Sequence, residues 1–126
     1  MSTDHEDLRM AAKAAGIQIV CPVERLVVQP RHYAGGFVVR TKTGGDACWN
    51  PLTDDGDALR LAVKLQLTIC NEHLTAGAAY CTAGLNRTGP SVDARWPQQQ
   101  TVVDGDYAAT RRAIVLAAAE VGRAMP

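Results

Sequence analysis

One stretch decides the fold of this chain: WNPLTDDGDALRLAVKL, residues 49–65. In its first half, Thr53 or Asp54 can accept a hydrogen bond from the free backbone N–H groups at a helix start. Acids in the first turn also complement the positive end of the helix dipole. Leucines and alanines then recur at helical spacing and form one apolar face. The stretch therefore predicts a helix over 54–65.

Residues near both ends of the chain predict two further helices. Thr3 and Glu6 match the capping box, and Gly16 can end a helix cheaply in the left-handed conformation, which predicts a helix over 4–15. Near the C-terminus, an alanine-rich run is preceded by acids and followed by a basic residue. That polarity suits the helix dipole and predicts the third helix, over 107–124.

Short β-rich runs separate these helices. They are predicted at 17–20, 24–28, 36–41, 47–49 and 67–70, with weaker ones at 77–83 and 101–103. Two of them flank the turn Gly44-Gly45-Asp46, which favours a β-hairpin. The whole chain, 1–126, is thus predicted to be a single α+β domain in which a short antiparallel sheet packs against about three helices.

Composition excludes several classes of function. The chain has 126 residues and a formal net charge of zero, so binding of long nucleic acids through phosphate neutralisation is not expected. No apolar run approaches the length of a membrane span, and the acidic N-terminus shows no secretory signal, so we expect a cytoplasmic protein without a membrane partner. Twenty of the residues are alanine, concentrated in the predicted helices. Such helices give small cores and close packing, and they predict a homodimer.

The sequence assigns no specific chemical role to the four cysteines. Without an export signal, reduced structural thiols are expected. Cys70 and His73, with Cys81, form a weak candidate metal site, because structural zinc sites use two tight ligand pairs and the second pair is missing. The acids of 54–57 are interpreted as helix capping. Acid, base and nucleophile cannot be assigned as a set, so the sequence indicates a non-enzymatic protein without a cofactor.

Arginines and aromatic residues give the candidate ligand site. Guanidinium groups suit phosphate and carboxylate recognition, and aromatic rings can stack on bases. A local anion pocket is compatible with zero net charge because many of the acids are placed at helix starts. The candidate ligand-binding residues are Arg31, Tyr33, Arg87, Arg95, Trp96, Arg111 and Arg112. The alternative is that these arginines pair with surface acids.

Four segments resemble small uncharacterised phage and prophage proteins. They are 49–65, AAKAAG at 11–16, ATRRAI at 109–114 and AAAEVGR at 117–123. More distantly, the Trp-Asn-Pro layout before a helix is similar to the NinX-type accessory proteins of lambdoid phages. The resemblance implies a phage origin and a small α+β fold, and it transfers no catalytic residues.

The leading hypothesis is a phage-type accessory binding protein that acts in the host cytoplasm. It would be an anti-defence factor that sequesters a small nucleotide-like signal or blocks a host protein. One alternative is a small metal-binding protein or Cys/His enzyme. Another is a dimeric structural adaptor joined through the alanine-rich helices.

Overall fold

The computed structural model describes residues 3–70, 81–84, 91–92 and 104–126. In chain order the elements are α1 Asp4–Ala15, β1 Ile19–Pro22, β2 Phe37–Arg40, β3 Asp46–Trp49, α2 Asp55–Leu65, β4 Thr68–Cys70, β5 Cys81–Gly84, β6 Ser91–Val92 and α3 Asp104–Ala124. The strands form two three-stranded antiparallel sheets, β1-β2-β3 and β4-β5-β6. The predicted α+β class with three helices is confirmed, and the second sheet is an addition to the prediction.

The first two helices begin where their capping residues predict. Thr3 Oγ1 accepts a hydrogen bond from the Glu6 backbone N–H at 3.1 Å, and Gly16 ends α1 with φ at 71°. At the start of α2, Asp54 Oδ2 accepts from the Asp57 backbone N–H at 2.8 Å. Local hydrogen bonding therefore sets these helix ends, as expected of capping residues.

The hairpin of β2 and β3 carries much of the core. Its register pairs Phe37 with Trp49 and Val39 with Ala47, so these residues point to one face of the sheet. Phe37, Val39 and Trp49 are buried there against α1, α2 and α3. The hairpin predicted from the Gly44-Gly45-Asp46 turn is confirmed.

The strand predicted at 24–28 is wrong. The chain there forms a short 3₁₀-helix, Val23–Arg25, and continues without a strand. Val23 is buried, whereas Val27 and Val28 are exposed. A valine-rich segment forms a strand only where its side chains can pack against a neighbouring strand or sheet face. The exposed side chains of Val27 and Val28 do not pack in this way. The prediction at 101–103 and most of that at 77–83 fall outside the described residues.

Helix α3 packs on α1 and α2 and also contacts β5. A Cβ at Gly122 would overlap the Met10 carbonyl, so α3 and α1 meet at backbone contact. Most of the alanines on the contacting faces are buried: Ala11, Ala12, Ala15, Ala109, Ala113, Ala117, Ala118 and Ala119. These alanine faces are thus buried between helices of one chain. They do not support the predicted homodimer, which stays a prediction.

Among the described residues, no helix is both long and apolar enough to cross a membrane.

Candidate functional site

The connection from β3 to α2 is a buried polar junction. Asn50 Nδ2 donates to the Ala34 carbonyl at 3.0 Å, and Asn50 Oδ1 accepts from the Leu52 backbone N–H at 3.0 Å. The Asn50 backbone N–H donates to Asp57 Oδ2, also at 3.0 Å. Both Asn50 and Asp57 are buried. Because buried polar groups must be paired, this junction fixes the first turn of α2 against the hairpin.

Arg60 extends the junction towards the surface. Its Nη2 donates to Asp57 Oδ1 at 2.8 Å and lies 3.8 Å from Asp54 Oδ2. His32 Nε2 lies 2.8 Å from the other oxygen of Asp54. The hydrogen bond with His32, and then that from the Asp57 backbone N–H, hold the pKa of Asp54 below its usual range. The hydrogen bond to Asp57 raises the pKa of Arg60.

Tyr33 lies beside this group of charges. Its ring meets the His32 ring edge-on, with centroids 4.9 Å apart. The negative charge of Asp54 is the main cause that raises the pKa of the Tyr33 phenol, and desolvation adds to it.

A cleft of about 310 Å³ opens beside this junction, between the end of α1, the hairpin and α2. Its apolar wall includes Ile17, Trp49 and Leu61. Trp49 and Leu61 are core residues, so this wall is held by the packing of the whole domain. The volume is at the lower end of the range for small-molecule pockets, which are mostly apolar with a few placed polar groups.

Four cationic side chains line the same cleft. Arg40 and Lys42 come from the hairpin, and Arg60 and Lys64 come from α2. Spacing explains the two pairs. Arg60 and Lys64 are four residues apart and share a face of α2, whereas Lys42 lies in the turn that directly follows Arg40 at the end of β2.

The four cations differ in their partners. Arg40 Nε lies 3.0 Å from Asp46 Oδ1 on the neighbouring strand, and Arg60 is bound to Asp57. Lys42 and Lys64 are exposed and make no ion pair with any residue of the described ranges. The cleft therefore combines a fixed apolar wall with two ammonium groups that are available to an anion.

The arginines singled out from the sequence are placed elsewhere. Arg111 Nε donates to the Leu52 carbonyl at 2.8 Å, and its Nη1 lies 2.6 Å from Asp55 Oδ1. Arg112 donates to both carboxylate oxygens of Asp4, at 3.2 and 3.3 Å. These two guanidinium groups thus join α3 to the starts of α2 and α1.

The other candidates are only partly described. Arg31 is exposed on the short 3₁₀-helix Arg31–Tyr33, which also carries Tyr33. Within the described residues, no hydrogen bond or ion pair joins any two of Arg31, Tyr33, Arg111 and Arg112. Arg87, Arg95 and Trp96 lie outside the described residues, and the part of all seven in ligand binding stays a prediction.

The metal candidates are also largely undescribed. His73 and the side chains of Cys70 and Cys81 lie outside what the structure describes. Cys21 and Cys48 are free, half-buried thiols. In the described ranges, no three His, Cys, Asp or Glu side chains are grouped so that they could hold a metal ion. The acids of 54–57 instead cap α2 and bind His32, Arg60 and Arg111.

Sequence reasoning missed the cleft because its cations come from segments far apart in the chain. The available signals were the two spacings, Arg40 with Lys42 and Arg60 with Lys64. Neither spacing shows that the two pairs face one another. A scan against family models and searches of curated proteins and of solved structures find no match to this chain.

Proposed function

We propose that this protein binds a small organic anion in the cleft between α1, the β2–β3 hairpin and α2, and acts by sequestering it. The single observation that carries the proposal is the joining of an apolar wall to Lys42 and Lys64, two cations without carboxylate partners among the described residues. A nucleotide-like molecule has both features that such a cleft selects, an apolar planar body and an anionic group.

The geometry supports binding better than catalysis. The carboxylate that lines the cleft and the nearby histidine are already engaged, because Asp57 accepts from Asn50 and Arg60, and His32 lies within hydrogen-bond distance of Asp54. General acid–base chemistry needs a group poised to reach the substrate. The resemblance of 49–65 to phage proteins adds a context in which sequestration of a host signal is a useful activity.

Calorimetric titration tests this proposal. The probes are nucleoside monophosphates and diphosphates, cyclic mononucleotides and cyclic dinucleotides. We expect at least one class to bind at one site per chain, and Lys64→Gln to weaken it. Arg25→Gln is the matched control, because Arg25 is an exposed cation that does not line the cleft.

Two results would contradict the proposal. One is the absence of binding by every probe. The other is an equal loss of affinity in the Lys64 and Arg25 variants. That result would show that binding responds to the net charge of the protein and does not need the cleft.

A further inference from the structure

We infer that the group bound between Lys42 and Lys64 is the dianion of a terminal phosphate monoester. This inference rests on the proposed function and adds the chemical class of the ligand. The proposed function requires only that the ligand is an anion. The distribution of charge around the cleft favours one kind of anion over others.

Charge around the cleft is only partly balanced. Arg40 has Asp46 within ion-pair distance, and Arg60 has Asp54 and Asp57, of which Asp57 also lines the cleft. The four cations and these three carboxylates leave a net charge of +1. Because the two lysines have no carboxylate partner among the described residues, this positive charge lies on them.

The unpaired cations at the cleft are ammonium groups. A guanidinium fork recognises planar anions such as carboxylates through two parallel hydrogen bonds, and each arginine at this cleft already contacts a carboxylate, Arg40 through Nε and Arg60 through Nη2. A lysine ammonium is a compact point charge, and its attraction scales with the charge of the ligand. A phosphate monoester carries nearly two negative charges at pH 7, whereas a phosphodiester or a carboxylate carries one. Two ammonium groups therefore favour the monoester.

The same cleft also offers apolar contact to the body of a ligand. Ile17 is half-buried at the cleft, and Trp49 and Leu61 line it from the core with only their edges exposed. Burial of apolar area adds affinity that inorganic phosphate cannot obtain. The expected ligand is thus a phosphate monoester on an apolar or planar group, such as a nucleoside 5′-monophosphate.

The experiment compares adenosine 5′-monophosphate with its methyl phosphodiester, which has the same body and one charge fewer. At pH 7.5 we expect the monoester to bind about tenfold more tightly, as one extra charge near two ammonium groups would give. In the double variant Lys42→Gln/Lys64→Gln this ratio falls towards one, while Arg25→Gln keeps it. Inorganic phosphate is expected to bind more weakly than the monoester.

A pH series gives a second readout. The second pKa of a phosphate monoester is about 6, so the dianion is lost between pH 7.5 and 5.5. Affinity for the monoester should fall over that range, and affinity for the diester should fall less. Thermal unfolding of each variant without ligand shows whether the variant is still folded.

The outcomes separate this inference from the proposed function. Equal binding of monoester and diester, or binding of cyclic nucleotides only, overturns the monoester while the anion-binding function stands. A ratio unchanged in the double variant also overturns it. If neither probe nor any other anion binds, both statements fail.

Discussion

The two ends of α2 use charge in opposite ways. At its N-terminal end, Asp54 and Asp57 accept hydrogen bonds from backbone and side chains, and Asp57 is buried. Four residues beyond Arg60, Lys64 projects from the same helix without an ion pair in the described residues. Charge that is paired and buried fixes a conformation, whereas charge that is exposed and unpaired contributes little to stability and is available for binding. Substitutions should therefore damage stability at the junction and affinity at the cleft.

Of the changes at the junction and the cleft, Gly36→Ala should reduce stability most. A Cβ at Gly36 would overlap the Trp49 carbonyl and lie 2.5 Å from Asn50 Cβ. Such overpacking is expected to reduce the free energy of unfolding by about 3 kcal/mol, measured by urea denaturation. Gly45→Ala is the control, because its nearest neighbour would be Thr41 Oγ1 at 3.6 Å. Equal losses of stability in the Gly36→Ala and Gly45→Ala variants would contradict close packing at Gly36.

Asp57→Ala should come next. It leaves the buried Asn50 backbone N–H without its acceptor and frees Arg60, at an expected cost of about 2 kcal/mol in the free energy of unfolding. Asp46→Ala also removes the carboxylate partner of an arginine, Arg40. Because the Asp46 side chain is 49% exposed, this change should reduce the free energy of unfolding by less than about 1 kcal/mol. Chemical denaturation of both variants distinguishes the buried pair from the exposed one, and a larger loss for Asp46 would refute the distinction.

Arg111→Gln separates structural arginines from ligand-binding cations. The Arg111 side chain is 18% exposed and bonds two groups at the start of α2, so we expect a loss of about 1 kcal/mol in stability and no change in anion affinity. Arg112→Gln, on a side chain that is 42% exposed, should cost less than about 0.5 kcal/mol. Lys64→Gln should show the reverse pattern, with intact stability and weakened binding. Lost affinity in a stable Arg111 variant would instead place that residue in the ligand site, as its sequence context suggested.

The smallest expected effect is a pH dependence that comes from Asp54. Its pKa in the folded protein lies below the ordinary 3.8, so the folded state binds fewer protons there than the unfolded state. Its contribution is therefore present above pH 3.8 and lost as the pH falls through the lower folded pKa. Asp54→Asn keeps a good capping oxygen but removes the charge. In urea denaturation the wild type should exceed this variant in stability at pH 5 by less than about 1 kcal/mol, and this advantage should shrink progressively as the pH falls below 3.8. A stability difference between the wild type and Asp54→Asn that stays constant with pH would contradict a lowered pKa of Asp54 as its cause.

Much of the fold was predictable because its signals are local. The capping box at Thr3, the left-handed Gly16 and the acids before α2 act through hydrogen bonds within a few residues, and these helices begin and end as predicted. The strand at 24–28 was predicted wrongly because strand formation depends on a neighbouring surface. Val27 and Val28 carry the right side chains for a strand but have no partner in the described structure.

The cleft proposed as the binding site was not predicted from the sequence. The sequence predicts a local anion pocket from arginines and aromatic residues, whereas the unpaired cations that line the cleft are the lysines Lys42 and Lys64. Arg111 and Lys64 are both cations on helix surfaces, and no local pattern distinguishes them. What differs is the neighbouring element, since Asp55 meets Arg111 and no described carboxylate meets Lys64.

The sequence by itself determined the class, the ends of the first two helices and the hairpin, because capping, turn formation and hydrophobic periodicity act over a few residues. The third helix begins at Asp104, three residues before its predicted start at 107. Only the tertiary structure decided which charges are neutralised, where the alanine faces are buried and which apolar residues line the cleft. These properties depend on contacts between segments far apart in the chain. The strength of a charge or an apolar surface as a binding group depends on what already covers it.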